Sequence, residues 1–150
     1  MERGWEIEEP AKTGPVVPWL YCSDLDRSLG FYRDVLGFQL RGARPEEKSA
    51  YIEHHGARIM LQEATAGSLL LPDLEHPFGR GVHLLIATSN VDALHMEVLN
   101  KASHPAVYAD PRNRWYRIGE GMEGHREIVL QDPDGYLLRF YQRLEGLEGA

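Results

Sequence analysis

The sequence predicts an α+β fold in which one β-α-β-β-β unit is used twice. Three observations carry that expectation. Two helix starts, Ser23-Asp24-Leu25-Asp26 and Ser89-Asn90-Val91-Asp92, each follow an apolar, β-prone run. Each helix is followed by short runs with strand character, and a fixed order met twice marks an internal repeat. The chain closes on two strands around Asp132-Pro133-Asp134-Gly135, where Pro133 presets φ and Gly135 accepts the positive φ of a tight turn.

The elements follow in order. Residues 1–14 read as a loose arm, because Gly4, Pro10 and Gly14 break any periodicity. Trp5 and Ile7 are its apolar residues, suited to packing on a neighbour. Residues 15–145 read as a single domain, with modules at about 15–63 and 81–143. Val16 to Cys22 is the first strand. Ser23 can cap the helix behind it, and the acidic first turn favours the positive end of the helix dipole. Leu25, Leu29, Tyr32 and Leu36 share one helical face, and Gly37 suits the position after the C-terminus. Phe38 to Arg44, Ser49 to His54 and Ala57 to Glu63 are three short strands, the last two joined by a His55-Gly56 turn. Ala64 to Gly81 is a Gly- and Pro-rich connection. In the second module Val82 to Thr88 is a strand, and Val91, Leu94, Val98 and Ala102 form a helical stripe. Strands near Ala106 to Ala109, Glu127 to Gln131 and Tyr136 to Gln142 complete it. Asp110 to Gly124 reads as a long loop with an edge strand, and long loops often carry function.

Composition excludes several classes. The chain has 150 residues, enough for a real core, and 43% of them are hydrophobic, which argues against global disorder. Its formal charge of -7 makes nucleic acid a poor partner, since phosphate backbones would be repelled. A single cysteine, Cys22, excludes an internal disulfide framework and a Cys-rich zinc site, and reads as a buried inert thiol. Met1 to Thr13 has no apolar core of a signal peptide, and no apolar run approaches the length of a membrane span. A soluble, cytoplasmic protein is the expectation, without membrane partners. No nucleophile, base and orienting group stand together in the sequence, so no catalytic residue is assigned.

The last strand puts Leu137, Arg139 and Tyr141 on one face and Tyr136, Leu138 and Phe140 on the other. A cation thus stands in an otherwise apolar row. Arg139 needs an anionic partner, either a ligand group or an internal acid such as Glu53 or Glu127. Trp19 and Tyr21 share a face, as lining for a planar ligand or as core. Trp115 and Tyr116, between Arg114 and Arg117, belong either to a loop that closes on a ligand or to an anchor on the sheet. The adjacent His54 and His55 point to opposite faces of a strand and suit an exposed turn better than a metal.

With Ser23-Asp24, then Phe31-Tyr32-Arg33-Asp34-Val35-Leu36-Gly37-Phe38, then Asp132-Pro133-Asp134-Gly135 and the strand behind it, the chain resembles the vicinal oxygen chelate superfamily. That group holds glyoxalases, extradiol dioxygenases, fosfomycin-resistance enzymes and bleomycin-resistance proteins. The resemblance runs from about Val16 to Gln142. It implies strands curled into a cup, with metal ligands on inward strand positions in the enzymes. Carried over, the first-strand ligand position falls on Val17, the end of the first module near Gln62, the matching strand of the second module on His83, and the last strand on Arg139. Only His83 is a good metal ligand, and Arg139 would repel an ion. The pattern is similar to the bleomycin-resistance branch.

The leading expectation is therefore a homodimeric protein that sequesters an aromatic or cationic small molecule without chemistry and without a cofactor. A metal-dependent lyase, isomerase or dioxygenase built around His83 is the alternative. The expected ligand-binding set is Trp19, Tyr21, Met60, Gln62, His83, Leu85, Trp115, Tyr116, Arg139 and Tyr141.

Overall fold

In the first half of the chain a strand, a helix and three more strands follow one another: β1 (Trp19–Cys22), α1 (Leu25–Leu29), β2 (Gln39–Arg44), β3 (Ser49–His54) and β4 (Ala57–Glu63). The structure is a computed structural model that describes residues 16–69 and 73–145. The arm with Trp5 and Ile7 lies outside the described residues. The chain divides into two compact units between Phe78 and Gly79.

In the first unit the sheet order is β1-β4-β3-β2, with β1 parallel to β4 and the other pairs antiparallel. The helix cap is Asp24 rather than Ser23: its Oδ1 accepts from the Arg27 amide at 3.1 Å. α1 continues as a wider π-helical turn, Gly30–Val35. The Leu36 amide reaches back to the Phe31 carbonyl at 3.0 Å, and the chain leaves through Gly37 at φ +82°. The widened turn rotates the buried face. Phe31, Tyr32, Val35 and Leu36 are buried, whereas Leu25 and Leu29 are only half-buried. Regular helical spacing therefore located the element but misjudged part of its stripe. Tyr32 stands edge-on to both Phe31 and Phe38, and Ile52, Ile59 and Leu61 of the sheet are buried as well.

The second unit repeats the order: β5 (His83–Ala87), α2 (Val91–Lys101), β6 (Val107–Ile118), β7 (Gly121–Gln131) and β8 (Leu137–Arg143), in sheet order β5-β8-β7-β6. Asn90 caps α2 by accepting from the Ala93 amide at 3.0 Å. Val91, Leu94 and Val98 are buried as the stripe predicts. Leu138 and Phe140 are fully buried among Ile128 and Leu130, so the opposite face of β8 carries Leu137, Arg139 and Tyr141. The turn before β8 explains the buried acid Asp132. Asp132 Oδ1 accepts from the amides of Asp134 and Tyr136 at 2.9 and 3.0 Å, and Gly135 takes φ +96°.

The expected loop at 110–124 is instead a long two-stranded ribbon, β6 against β7, joined by a turn at Gly119-Glu120. Two register shifts, between Val107 and Ala109 and between Ala109 and Arg112, break its period-two pattern. Pro111 sits at the second shift, where a missing N–H is tolerated. The glycines that suggested a loop have local roles. Gly119 turns the ribbon at φ +61°, and Gly124 lies under the Trp115 ring. No helix among the described residues is long and apolar enough to cross a membrane.

Candidate functional site

Period-two alternation on β7 sends His125, Glu127 and Val129 to one face, and Gly124, Arg126 and Ile128 to the face carrying α2. Arg126 marks the latter face, since it reaches Asp92 on α2 at 2.8 Å. The opposite face forms a cleft of about 530 Å³, lined by His83 and Leu85 of β5, Arg114, Tyr116, Arg117 and Ile118 of β6, His125 and Glu127 of β7, and Arg139 of β8. The ribbon that the sequence concealed thus supplies a whole wall.

Glu127 is the hub. It is 1% exposed, and Arg139 Nη1 donates to its Oε1 at 2.6 Å. The Tyr116 hydroxyl donates to Oε2 at 2.8 Å. Arg112 and Arg114 stand within ion-pair range of Oε1 at 3.7 and 3.9 Å. A buried carboxylate is tolerated only with such partners. Burial first, then the hydrogen bond to Glu127 and its charge, push the Tyr116 phenol above its ordinary pKa, so it stays a protonated donor. The Arg114 guanidinium lies 5.2 Å from the centre of the Tyr116 ring. Beside this hub His125 stacks on Tyr141, centroids 4.5 Å apart, and its Nε2 lies 2.7 Å from Glu123 Oε1. That hydrogen bond is the main cause holding the Glu123 carboxyl below its usual value.

Of the residues expected from sequence, the structure gathers His83, Leu85, Tyr116 and Arg139 in this cleft, with Tyr141 under His125 at its edge. Trp115 is not among them. It alternates with Tyr116 and covers Gly124, so it faces the side of the sheet opposite the cleft. In the first unit Trp19, Tyr21, Met60 and Gln62 share one sheet face, through the register Trp19 to Met60 and Tyr21 to Gln62. Their polar atoms are engaged within that unit. Trp19 Nε1 donates to Gln62 Oε1 at 3.1 Å, Gln62 Nε2 donates to the Glu47 carbonyl at 3.2 Å, and the Tyr21 hydroxyl accepts from the Leu69 amide at 3.0 Å. Met60 is buried.

Sequence reasoning missed Arg114, Arg117, Ile118 and His125 as lining residues. The signal for Arg114 and Ile118 was their alternation with Tyr116, masked because the segment read as a loop; Arg117, near the ribbon's turn, and His125, on the partner strand, lie outside that alternation. The open choice at Arg139 is resolved in favour of an internal acid, Glu127.

The cleft residues do not fit a divalent ion. His83 is a competent donor, but Glu127 is the only carboxylate in the lining, and both its oxygens hold other donors. A guanidinium 2.6 Å from that carboxylate stands where an ion would need to approach. The repeat gives no substitute. Tyr21 and Ala87 lie equally far before their helix caps, Asp24 and Asn90. Their partners are Gln62 and Tyr141, so Tyr141 occupies the place of Gln62, and Arg139 that of Met60. Among the described residues no three His, Cys, Asp or Glu side chains converge.

Comparison with known proteins agrees with this architecture. The family model for the glyoxalase/bleomycin resistance protein/dioxygenase superfamily matches residues 12–140. The bleomycin resistance protein of Geobacillus stearothermophilus is 25% identical over 136 residues, covering 86% of this chain and 96% of that protein. The bleomycin resistance protein of Staphylococcus aureus matches equally. Among solved structures, a glyoxalase/bleomycin resistance protein/dioxygenase from Nocardioides has 25% identity and a TM-score of 0.60, over 91% of this chain and 88% of that one. A virulence protein of Salmonella typhimurium shares the fold at 21% identity and a TM-score of 0.61, over 86% and 96% of the two chains. With the repeated β-α-β-β-β order and a match across nearly the whole chain, this protein belongs to the glyoxalase/bleomycin resistance protein/dioxygenase superfamily.

Proposed function

We propose that this protein is a bleomycin-resistance-like binding protein that holds a planar, mostly apolar small molecule in the second-unit cleft and releases it unchanged. The observation that carries this reading is the Arg139–Glu127 pair at 2.6 Å. The pair commits the one carboxylate of the lining to a guanidinium, leaving His83 without an acidic co-ligand for metal chemistry. What remains is recognition: apolar Leu85 and Ile118, the aromatic rings of Tyr116 and His125, and a few polar groups. A cleft of about 530 Å³ with that make-up suits one drug-sized ligand. The relatives named bleomycin resistance proteins support the same role. The arginines favour the aromatic side of the sequence expectation over a bare cation.

A homodimer is part of the proposal. β1 and β2 end the first sheet and β5 and β6 the second, and edge strands are usually covered. Light scattering at micromolar concentration reads the oligomeric state, and a monomer there would count against a dimer.

The functional test combines binding with product analysis. Bleomycin and naphthalene-2-carboxylate are each titrated while the melting temperature is followed, because a ligand selective for the folded state raises it. The ligand is then recovered and weighed by mass spectrometry. A raised melting temperature with unchanged ligand mass supports sequestration. Conversion of ligand on adding iron, zinc, nickel or manganese, lost in His83→Ala, would replace this reading with the enzymatic one.

A further inference from the structure

We propose that the second-unit cleft selects a carboxylate or related oxyanion carried on a planar apolar skeleton, with Glu127 as the positioning residue that holds the arginines ready for it. The proposal rests on the binding reading above and narrows it to a ligand class.

Charge decides the sign. Arg114, Arg117 and Arg139 line the cleft against one carboxylate, Glu127. Arg112 adds a further cation at 3.7 Å from the same acid. A guanidinium carries five N–H donors, whereas a carboxylate has two oxygens. One oxygen of Glu127 is shared with Tyr116, so donors far outnumber acceptors. Arg112 and Arg114 lie within ion-pair range of Glu127 but beyond good hydrogen-bond distance, and a ligand oxyanion would satisfy them more directly. A cationic ligand would meet the same surplus as repulsion.

Geometry strengthens the effect. Arg139 is only 19% exposed on its side chain, and Glu127 fixes its position. A fixed, partly desolvated guanidinium forfeits little conformational freedom when it binds, and the donors that Arg139 does not give to Glu127 can meet a ligand oxyanion. Leu85 and Ile118, both exposed in the cleft, offer apolar surface. The chain's net charge of -7 works against polyanions, leaving a small ligand with a single anionic group as the fitting class.

The test uses three matched probes: naphthalene-2-carboxylate, naphthalene-2-carboxamide and 2-naphthylmethylammonium. Calorimetry gives their affinities, and NMR of the arginine Nε–H groups locates the binding. The carboxylate should bind at least about ten-fold more tightly than the amide, the value of one charge-assisted hydrogen bond. Its affinity should fall with added salt. Arg117→Gln, on the exposed ribbon, should shrink the acid-to-amide ratio several-fold. Glu127→Gln removes a competing negative charge, which by itself strengthens the pull on the acid; if Glu127 positions the arginines, the ratio should nevertheless shrink while affinity for the amide stays nearly constant, and a larger ratio would overturn the positioning role. A purely structural role for Glu127 would instead lower both affinities together and would overturn its positioning role. Equal affinity for acid and amide, or tighter binding of the ammonium, overturns the ligand class while leaving the binding reading intact. No arginine shifts with any probe would overturn both.

Discussion

Glu127→Ala is the most exposing perturbation of this molecule. The side chain is 1% exposed and joins Arg139 at 2.6 Å, Tyr116 at 2.8 Å, and Arg112 and Arg114 at longer range. Removing one partner of a buried ion pair costs about 3–5 kcal/mol, because the other charge is left uncompensated. The arginines moderate this. Their side chains are 19%, 51% and 44% exposed for Arg139, Arg112 and Arg114, so water can recover part of their solvation. The lower bound, about 3 kcal/mol, is therefore expected. For a chain of this size that corresponds to a fall in melting temperature of roughly 6–12 °C. Urea unfolding, read by circular dichroism, gives the free energy directly. The double variant Glu127→Leu with Arg139→Met should be more stable than Glu127→Leu alone, since the stranded cation leaves with its acid. A cost below about 0.5 kcal/mol, the ordinary range for a surface change, would refute the account of Glu127 as a buried hub.

Three further outcomes are expected. In Gly124→Ala the new Cβ would lie 2.7 Å from Cη2 and Cζ3 of Trp115, so the ring must move; stability should fall by about 1–3 kcal/mol and the tryptophan emission should shift, and an unchanged spectrum would argue against that packing. Tyr116→Ala should weaken naphthalene-2-carboxylate binding several-fold in calorimetry, about 1 kcal/mol for a stacked ring, whereas Trp115→Ala, on the far face, should leave the affinity nearly unchanged. Glu53 is held below the usual carboxylate value first by its hydrogen bond from Arg41 and also by Arg58, against the opposing effect of burial. Its folded pKa is lowered, so its contribution is complete above the ordinary carboxylate range and is lost as pH falls through the lowered value. Glu53→Gln should flatten the acid limb of the stability profile, and an identical limb would count against the pair.

Local chemistry was legible wherever the chain kept one period and one clear punctuation mark. Gly135 closes the hairpin, Val91, Leu94 and Val98 form a regular stripe, and the helix starts were placed to within one residue, with the cap on Asp24 in place of the expected Ser23, each through interactions within a few residues. The repeat was legible for the same reason, since both units reuse those signals in the same order. Alternation along β8 also placed Arg139 correctly, on a face with Leu137 and Tyr141 and away from buried Leu138 and Phe140. The sequence by itself therefore determined the fold class, the two-unit plan and the odd cation at the site.

Only the tertiary structure decided what that cation meets. Two bulges in β6 break the alternation that would have announced a strand, so a ribbon looked like a loop. Closing the ribbon brings Glu127 and Tyr116 onto the face of Arg139 and sends Trp115 to the other side. Arg139 finds its acid on the neighbouring strand, twelve residues away in sequence. A one-residue shift in register exchanges the two faces of a strand. Which side chains line the cleft is thus a property of strand register, which is set by pairing between segments and is not written in either segment alone.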